Sequence, residues 1–241
     1  MLRIKDARTG LPVDPAPARR GLTRVQVHVP GYDTTALRVL LVADLLARAL
    51  ELGRTPVWSL LTAPRGRPEL LAGAAALGIR PFEDSRDLGP GPGQAQTIHV
   101  AGEGTSAPDG VLVAVAPVES PASAPPDVPD PAVLRLALLD RPRDLPVRLD
   151  ADVLDAAANT LAHWRRAVAD WARRPSRPIP DAVGTRLRAA WEDDLDAGEV
   201  LAVLRWVAEA PDVPDGARFE TYAHADRLLG LELTRDLGAP S

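Results

Sequence analysis

The chain has 241 residues, 46% of them apolar and 25% charged, with a net charge of −5. That is length enough for one large core or two small ones, and too apolar for wholesale disorder. It contains no cysteine, which excludes disulfides, thiolate nucleophiles and thiolate-held zinc, and its four histidines (His28, His99, His163, His224) lack metal-ligand spacing.

In chain order, Met1-Leu2-Arg3 opens no apolar run of signal-peptide type, and no uncharged apolar stretch reaches the eighteen or so residues that a membrane span needs. A cytoplasmic location without membrane contact is therefore the expectation. Leu22–Val29 alternates, with Val25, Val27 and Val29 against Arg24, Gln26 and His28, a half-buried strand pattern. Pro30-Gly31 breaks it. Thr35–Leu52 is helical and nearly all apolar, with Asp44, Arg48 and Glu51 as one polar stripe and Gly53 as its cap; such a helix packs on most sides. Thr55–Leu61 reads as a second strand, Pro68–Leu77 as a helix ended by Gly78, and Gly89–Gly93 as a loop. Gln96–Ala101 and Gly110–Val118 are further strand-like runs. The alternation predicts a small parallel α/β sheet of Rossmann type over residues 1–119.

Ser120–Pro131 holds five prolines and reads as a linker. Beyond it, 132–241 reads as a helical bundle. Leu154, Ala157, Leu161, Trp164, Val168 and Trp171 mark a buried seam, flanked by Arg165-Arg166 and Arg173-Arg174 as solvated charges. Helices follow around Leu187–Trp191, Glu199–Ala208 and Phe219–Leu229. Residues 1–126 carry 13 basic and 12 acidic side chains, whereas 127–241 carry 15 and 21. Nucleic acid binding requires a basic face, so an acidic bundle argues against it.

Three blocks carry a resemblance to a known family. Leu2–Asp6 with Thr9-Gly10, and Val27–Asp33 followed by a helix through Ala43–Leu46, are similar to the opening strands, signature loop and first helix of cysteinyl-tRNA synthetases. Asp130-Pro131 with Arg135–Leu139, Leu161-Ala162 with Trp164-Arg165, Asp193–Asp196 before Val200–Leu204, and Asp226–Leu231 resemble the C-terminal part of the mycothiol cysteine ligases, a branch of the same class I synthetase-like family. The blocks stand in the family's order and span most of the chain.

The resemblance implies an enzyme that makes a cysteinyl adenylate from cysteine and ATP by three devices: a thiol-selecting zinc ion, a histidine-and-glycine signature at the first helix, and a lysine-bearing loop. Aligning Tyr32-Asp33 with the family's Tyr-Asp places the first zinc ligand at Val27, which cannot coordinate a metal. The first signature histidine falls on Ala36, with about three residues missing. The lysine loop falls on Asp109–Val115, which holds no lysine or arginine. Such cations stabilise the leaving pyrophosphate by about 3 kcal/mol each.

What could remain of a nucleotide pocket is Tyr32, Asp33, Thr34, Arg38, His99, Gly102 and Gly104. Asp33 also reads as a helix N-cap, Arg38 as a solvated arginine on the first helical turns, and His99 as the polar face of a strand. The expectation is a degenerate, non-catalytic relative without cofactor that binds a protein partner or a small ligand, self-association included. Residual ATP or AMP binding is an alternative. Two rivals stay open. One is an ATP-dependent ligase or nucleotidyl-transfer enzyme with a new substrate, using Arg38, His99 and Asp33; the other is a tRNA-binding accessory protein.

Overall fold

The structure, a computed structural model, describes residues 1–18, 22–85, 96–122 and 125–238, so the loop expected at Gly89–Gly93 lies outside the described residues. A small antiparallel hairpin opens the chain, β1 (Ile4–Lys5) with β2 (Pro12–Val13). Then come β3 (Thr23–His28), α1 (Thr34–Leu52), β4 (Val57–Thr62), α2 (Arg67–Ala76), β5 (Glu83–Asp84), β6 (Gln96–Gly102) and β7 (Val111–Val115). The second half holds β8 (Val118–Glu119), α3 (Pro131–Leu139), β9 (Val147–Arg148), α4 (Ala151–Trp171), α5 (Asp181–Glu192), α6 (Ala197–Glu209) and α7 (Asp215–Leu229).

The fold is an α/β Rossmann-like sheet followed by helices. Its five strands pair in parallel in the order β5-β4-β3-β6-β7. Because chain order reverses between β3 and β6, the C-terminal ends of those strands form the crevice where open α/β sheets bind ligands. α1 leaves that crevice and runs back beneath the sheet. Fifteen of its 19 residues are buried, which explains why its sequence is apolar on nearly every side. β3 alternates buried and half-buried positions: Val25 and Val27 face the core, while Arg24, Gln26 and His28 lie on the opposite face.

The run expected as one strand over Gly110–Val118 is two, β7 and β8, because Ala116-Pro117 interrupts the ladder. β8 pairs in parallel with β9, which follows α3 (Val118↔Val147, Glu119↔Arg148), so chain on the two sides of the expected linker is hydrogen-bonded together. The buried apolar residues form one cluster from Leu2 to Leu233 rather than a separate core in each half. In the helical half, Trp164 and Trp171 stand edge-on to Tyr222 at 5.7 and 5.1 Å between ring centroids, and the Tyr222 hydroxyl donates to the Leu204 carbonyl at 2.8 Å. The seam is core.

Among the described residues, four arginines are buried: Arg38, Arg135, Arg143 and Arg165. Each donates to backbone carbonyls, which keeps a charged fork satisfied in the interior. Arg135, wholly buried, donates to Leu229 O (2.6 Å), Leu77 O (2.9 Å) and the Asp44 carboxylate (2.9 Å), tying α1, α2, α3 and α7 together. Arg48 and Arg80 also donate to Asp44, at 2.8 and 3.0 Å, and the three cations hold its carboxyl below the usual range against the opposing effect of burial. Arg165, expected as a solvated charge, instead donates to Leu231 O (3.0 Å) and Glu232 O (3.1 Å) and pairs with Asp130. The helix face that sequence periodicity leaves polar is covered here by the C-terminal segment.

Candidate functional site

At the crevice, β3 ends at His28, and Val29–Gly31 lead to Tyr32, Asp33 and the first turn of α1. Asp33 is extended (φ −156°, ψ 178°), and its carboxylate accepts from Ala36 N at 2.6 Å while its carbonyl accepts from Leu37 N at 3.1 Å. This is an N-cap, a carboxylate seated on the positive pole of a long helix. Thr35 Oγ1 accepts from Val118 N at 3.0 Å, so the strand leaving the sheet is laced to the same turn. Thr34 is buried, and its hydroxyl has no hydrogen-bond partner among the described residues.

Tyr32 lies against α2 by way of two glycines. A Cβ at Gly73 would stand 3.0 Å from the ring of Tyr32, and one at Gly66, whose φ is +59°, would stand 3.2 Å from its Cβ. The remaining edge of Tyr32 is exposed.

Arg38 is not solvated. It is 1% exposed, and its guanidinium donates to Ala116 O (2.8 Å), Leu145 O (2.8 Å), Pro142 O (2.9 Å) and Arg141 O (3.5 Å). Burial lowers its pKa to about 10, partly offset by Asp144, which leaves it charged at neutral pH. The cation nearest the helix start in sequence is thus turned inward. It holds the turn between α3 and β9 against the end of β7.

His99 sits on β6 beside His28 on β3. His28 Nε2 and His99 Nδ1 are 2.9 Å apart, and His99 Nε2 lies 3.3 Å from Asp109 O. If Nε2 of His99 donates to that carbonyl, Nδ1 must accept from His28. Burial pulls both rings below the ordinary histidine range, with His99 acting further on His28. Gly110 makes room for the pair: at φ +133°, a Cβ there would stand 2.6 Å from Thr97 O and 3.4 Å from the His99 ring. At the end of β6, Gly102 and Gly104 have open space where a Cβ would be, and the φ of +77° at Gly104 is why glycine suits that turn.

The crevice therefore brings together Tyr32, Asp33, Thr34, Gly102 and Gly104 at the ends of two adjacent strands, and His99 further down β6. It separates Arg38 from them. Sequence reasoning missed His28 as the partner of His99; both occupy alternating strand positions, but which strands pair is invisible to a single sequence.

The family's zinc ion does not fit these residues. Val27 is fully buried in the middle of β3, between Leu61 on β4 and Val100 on β6, and offers no donor. The N-terminal pole of α1, for its part, holds the Asp33 carboxylate.

No protein-family model matches the chain. Curated relatives do. An L-cysteine:1D-myo-inositol 2-amino-2-deoxy-alpha-D-glucopyranoside ligase of Acidothermus cellulolyticus is 37% identical over 43% of this chain and 25% of its own length. The protein of that name from Streptomyces griseus is 38% identical over the same shares, and the one from Nocardia farcinica is 37% identical over 58% of this chain and 32% of its own length. The matched part thus spans about a quarter to a third of the relatives' length. Over roughly half of its residues, the chain is therefore similar to these cysteine ligases.

Proposed function

We propose that the chain is a non-catalytic member of this ligase-like group that acts by binding a partner protein or a small ligand. The observation that carries the reading is the state of the α1 pole. Adenylate formation needs positive charge and free amides beside the phosphates. Here Asp33 puts a negative charge on the pole and takes up the Ala36 amide, while Arg38 is bound to four carbonyls in the interior. Two unit charges of like sign 4 Å apart near a surface repel by about 4 kcal/mol, a load an adenylating site does not carry.

The neighbouring groups fit the same reading. The imidazole of His99 is engaged on both sides, by His28 and Asp109. The segment matching the lysine loop, Asp109–Val115, includes the whole of β7, a parallel strand without a cation. ATP–pyrophosphate exchange tests the reading, with cysteine and then other amino acids as substrates. Exchange at the no-protein level supports it, and turnover that depends on an amino acid overturns it.

A further inference from the structure

At the opposite end of the sheet, a cavity of about 600 Å³ opens where the end of α1 and the turn into β4 meet α5, α7 and the N-terminal arm. That volume lies within the range of about 300–1,000 Å³ that small-molecule sites occupy. Trp191 of α5 and His224 of α7 form its aromatic wall, their rings 5.5 Å apart between centroids and tilted by 53°. Three arginines line the same space: Arg54 after α1, Arg188 of α5 and Arg227 of α7.

The charges around it divide unevenly by partner. Each acid in the wall is already engaged: Glu51 pairs with Arg80 at 2.5 Å, Glu192 with the Met1 ammonium, and Asp14 accepts from Ala16 N at 3.0 Å. No guanidinium of Arg54, Arg188 or Arg227 makes a hydrogen bond or ion pair with the described residues. Nor is the negative pole of α1 left bare, because Gly53, Arg54 and Thr55 amides donate to the carbonyls of Ala49, Glu51 and Leu50 at 3.1, 2.9 and 2.9 Å. Arg54 adds a second peculiarity. Its φ is +63°, a conformation that glycine adopts freely, yet the position carries the longest cationic side chain.

The geometry points to this cavity as a binding site for a small organic phosphate with a flat ring, its phosphate held by Arg54, Arg188 and Arg227 and its ring against Trp191 and His224. Guanidinium forks match phosphate oxygens bidentately, and the half-buried His224 ring, backed by the buried Trp191, supplies an aromatic wall. Burial, then Arg227 and Arg188, lower the His224 pKa, so the neutral imidazole can accept a hydrogen bond from the ligand. This inference does not depend on whether the crevice at the other end of the sheet has lost catalysis.

Calorimetric titration of the full chain with adenosine 5′-monophosphate, adenosine and inorganic pyrophosphate tests it. The expected result is saturable one-to-one binding of the monophosphate, weaker in high salt and at least about tenfold tighter than adenosine. The double variant Arg188→Ala/Arg227→Ala should weaken it by about tenfold or more, Trp191→Leu should weaken the monophosphate but not pyrophosphate, and the exposed control Arg166→Ala should leave it unchanged. Absence of binding by any phosphate probe at millimolar concentration overturns the proposal. So does binding that survives the double variant, or adenosine binding as tightly as the monophosphate. Exchange activity at the other end of the sheet would refute the non-catalytic reading and leave this one standing.

Discussion

Replacing Arg38 with methionine separates a structural arginine from a phosphate ligand. The wild-type guanidinium satisfies Ala116, Leu145 and Pro142 carbonyls at 2.8, 2.8 and 2.9 Å from a site only 1% exposed. Methionine fills much of the volume and offers no donor, so the buried Ala116 acceptor is left dry at about 1–3 kcal/mol and the part-buried Leu145 and Pro142 acceptors lose their partner at a smaller cost. Removing a buried cation relieves part of that cost. The net expectation is a loss of about 3 kcal/mol, or about 6–12 °C in Tm for a chain of this size. Urea denaturation followed by circular dichroism reads it as a lower midpoint at unchanged slope. Arg38→Lys should recover less than half, because an ammonium cannot span carbonyls spread over that turn. A methionine variant within about 0.5 kcal/mol of wild type would refute the reasoning and return Arg38 to the list of available cations.

Other expectations follow from the same geometry. Asp44→Asn should cost about 3–5 kcal/mol in urea denaturation, because it leaves the wholly buried Arg135 without its countercharge. Gly230→Ala places a methyl 2.8 Å from an Arg135 nitrogen at φ +63° and should lose at least about 2 kcal/mol in thermal melts; Gly10→Ala, at φ +71° with open space, should lose less. The His28–His99 pair makes stability fall with acid. Both pKa values lie below 6.5 in the folded chain, so the unfolded chain takes up protons first, and the contribution present above pH 6.5 is lost as pH drops through the folded values. His99→Gln should flatten the slope of stability against pH below 6.5, and an unchanged slope would contradict the coupling.

Much of the architecture could be read from the chain because local pattern and burial agree. β3 alternates, α1 is apolar almost all round, and the seam of α4 repeats at helical spacing, each for a reason set by its own neighbours. The short strands β5, β8 and β9 were not legible, since two residues carry no period and their pairing depends on chain far away. The arginines show the limit most clearly. Arg38 and Arg165 read as surface charge in a sequence, yet each finds carbonyls from segments more than sixty residues distant. At the crevice, the capping role of Asp33 was visible from Thr34-Thr35 behind it. The inward turn of Arg38 and the bond between His28 and His99 required the fold.

The most direct measurement is an amide-resolved NMR titration of the isotope-labelled chain with ATP. The account predicts that the amides of Thr34–Leu37 and Gly102–Gly104 stay in place, with any saturable shifts confined to the cavity around Arg54, Arg188 and Arg227. Saturable shifts at the α1 pole, removed by Arg38→Met in a variant that still folds, would contradict it.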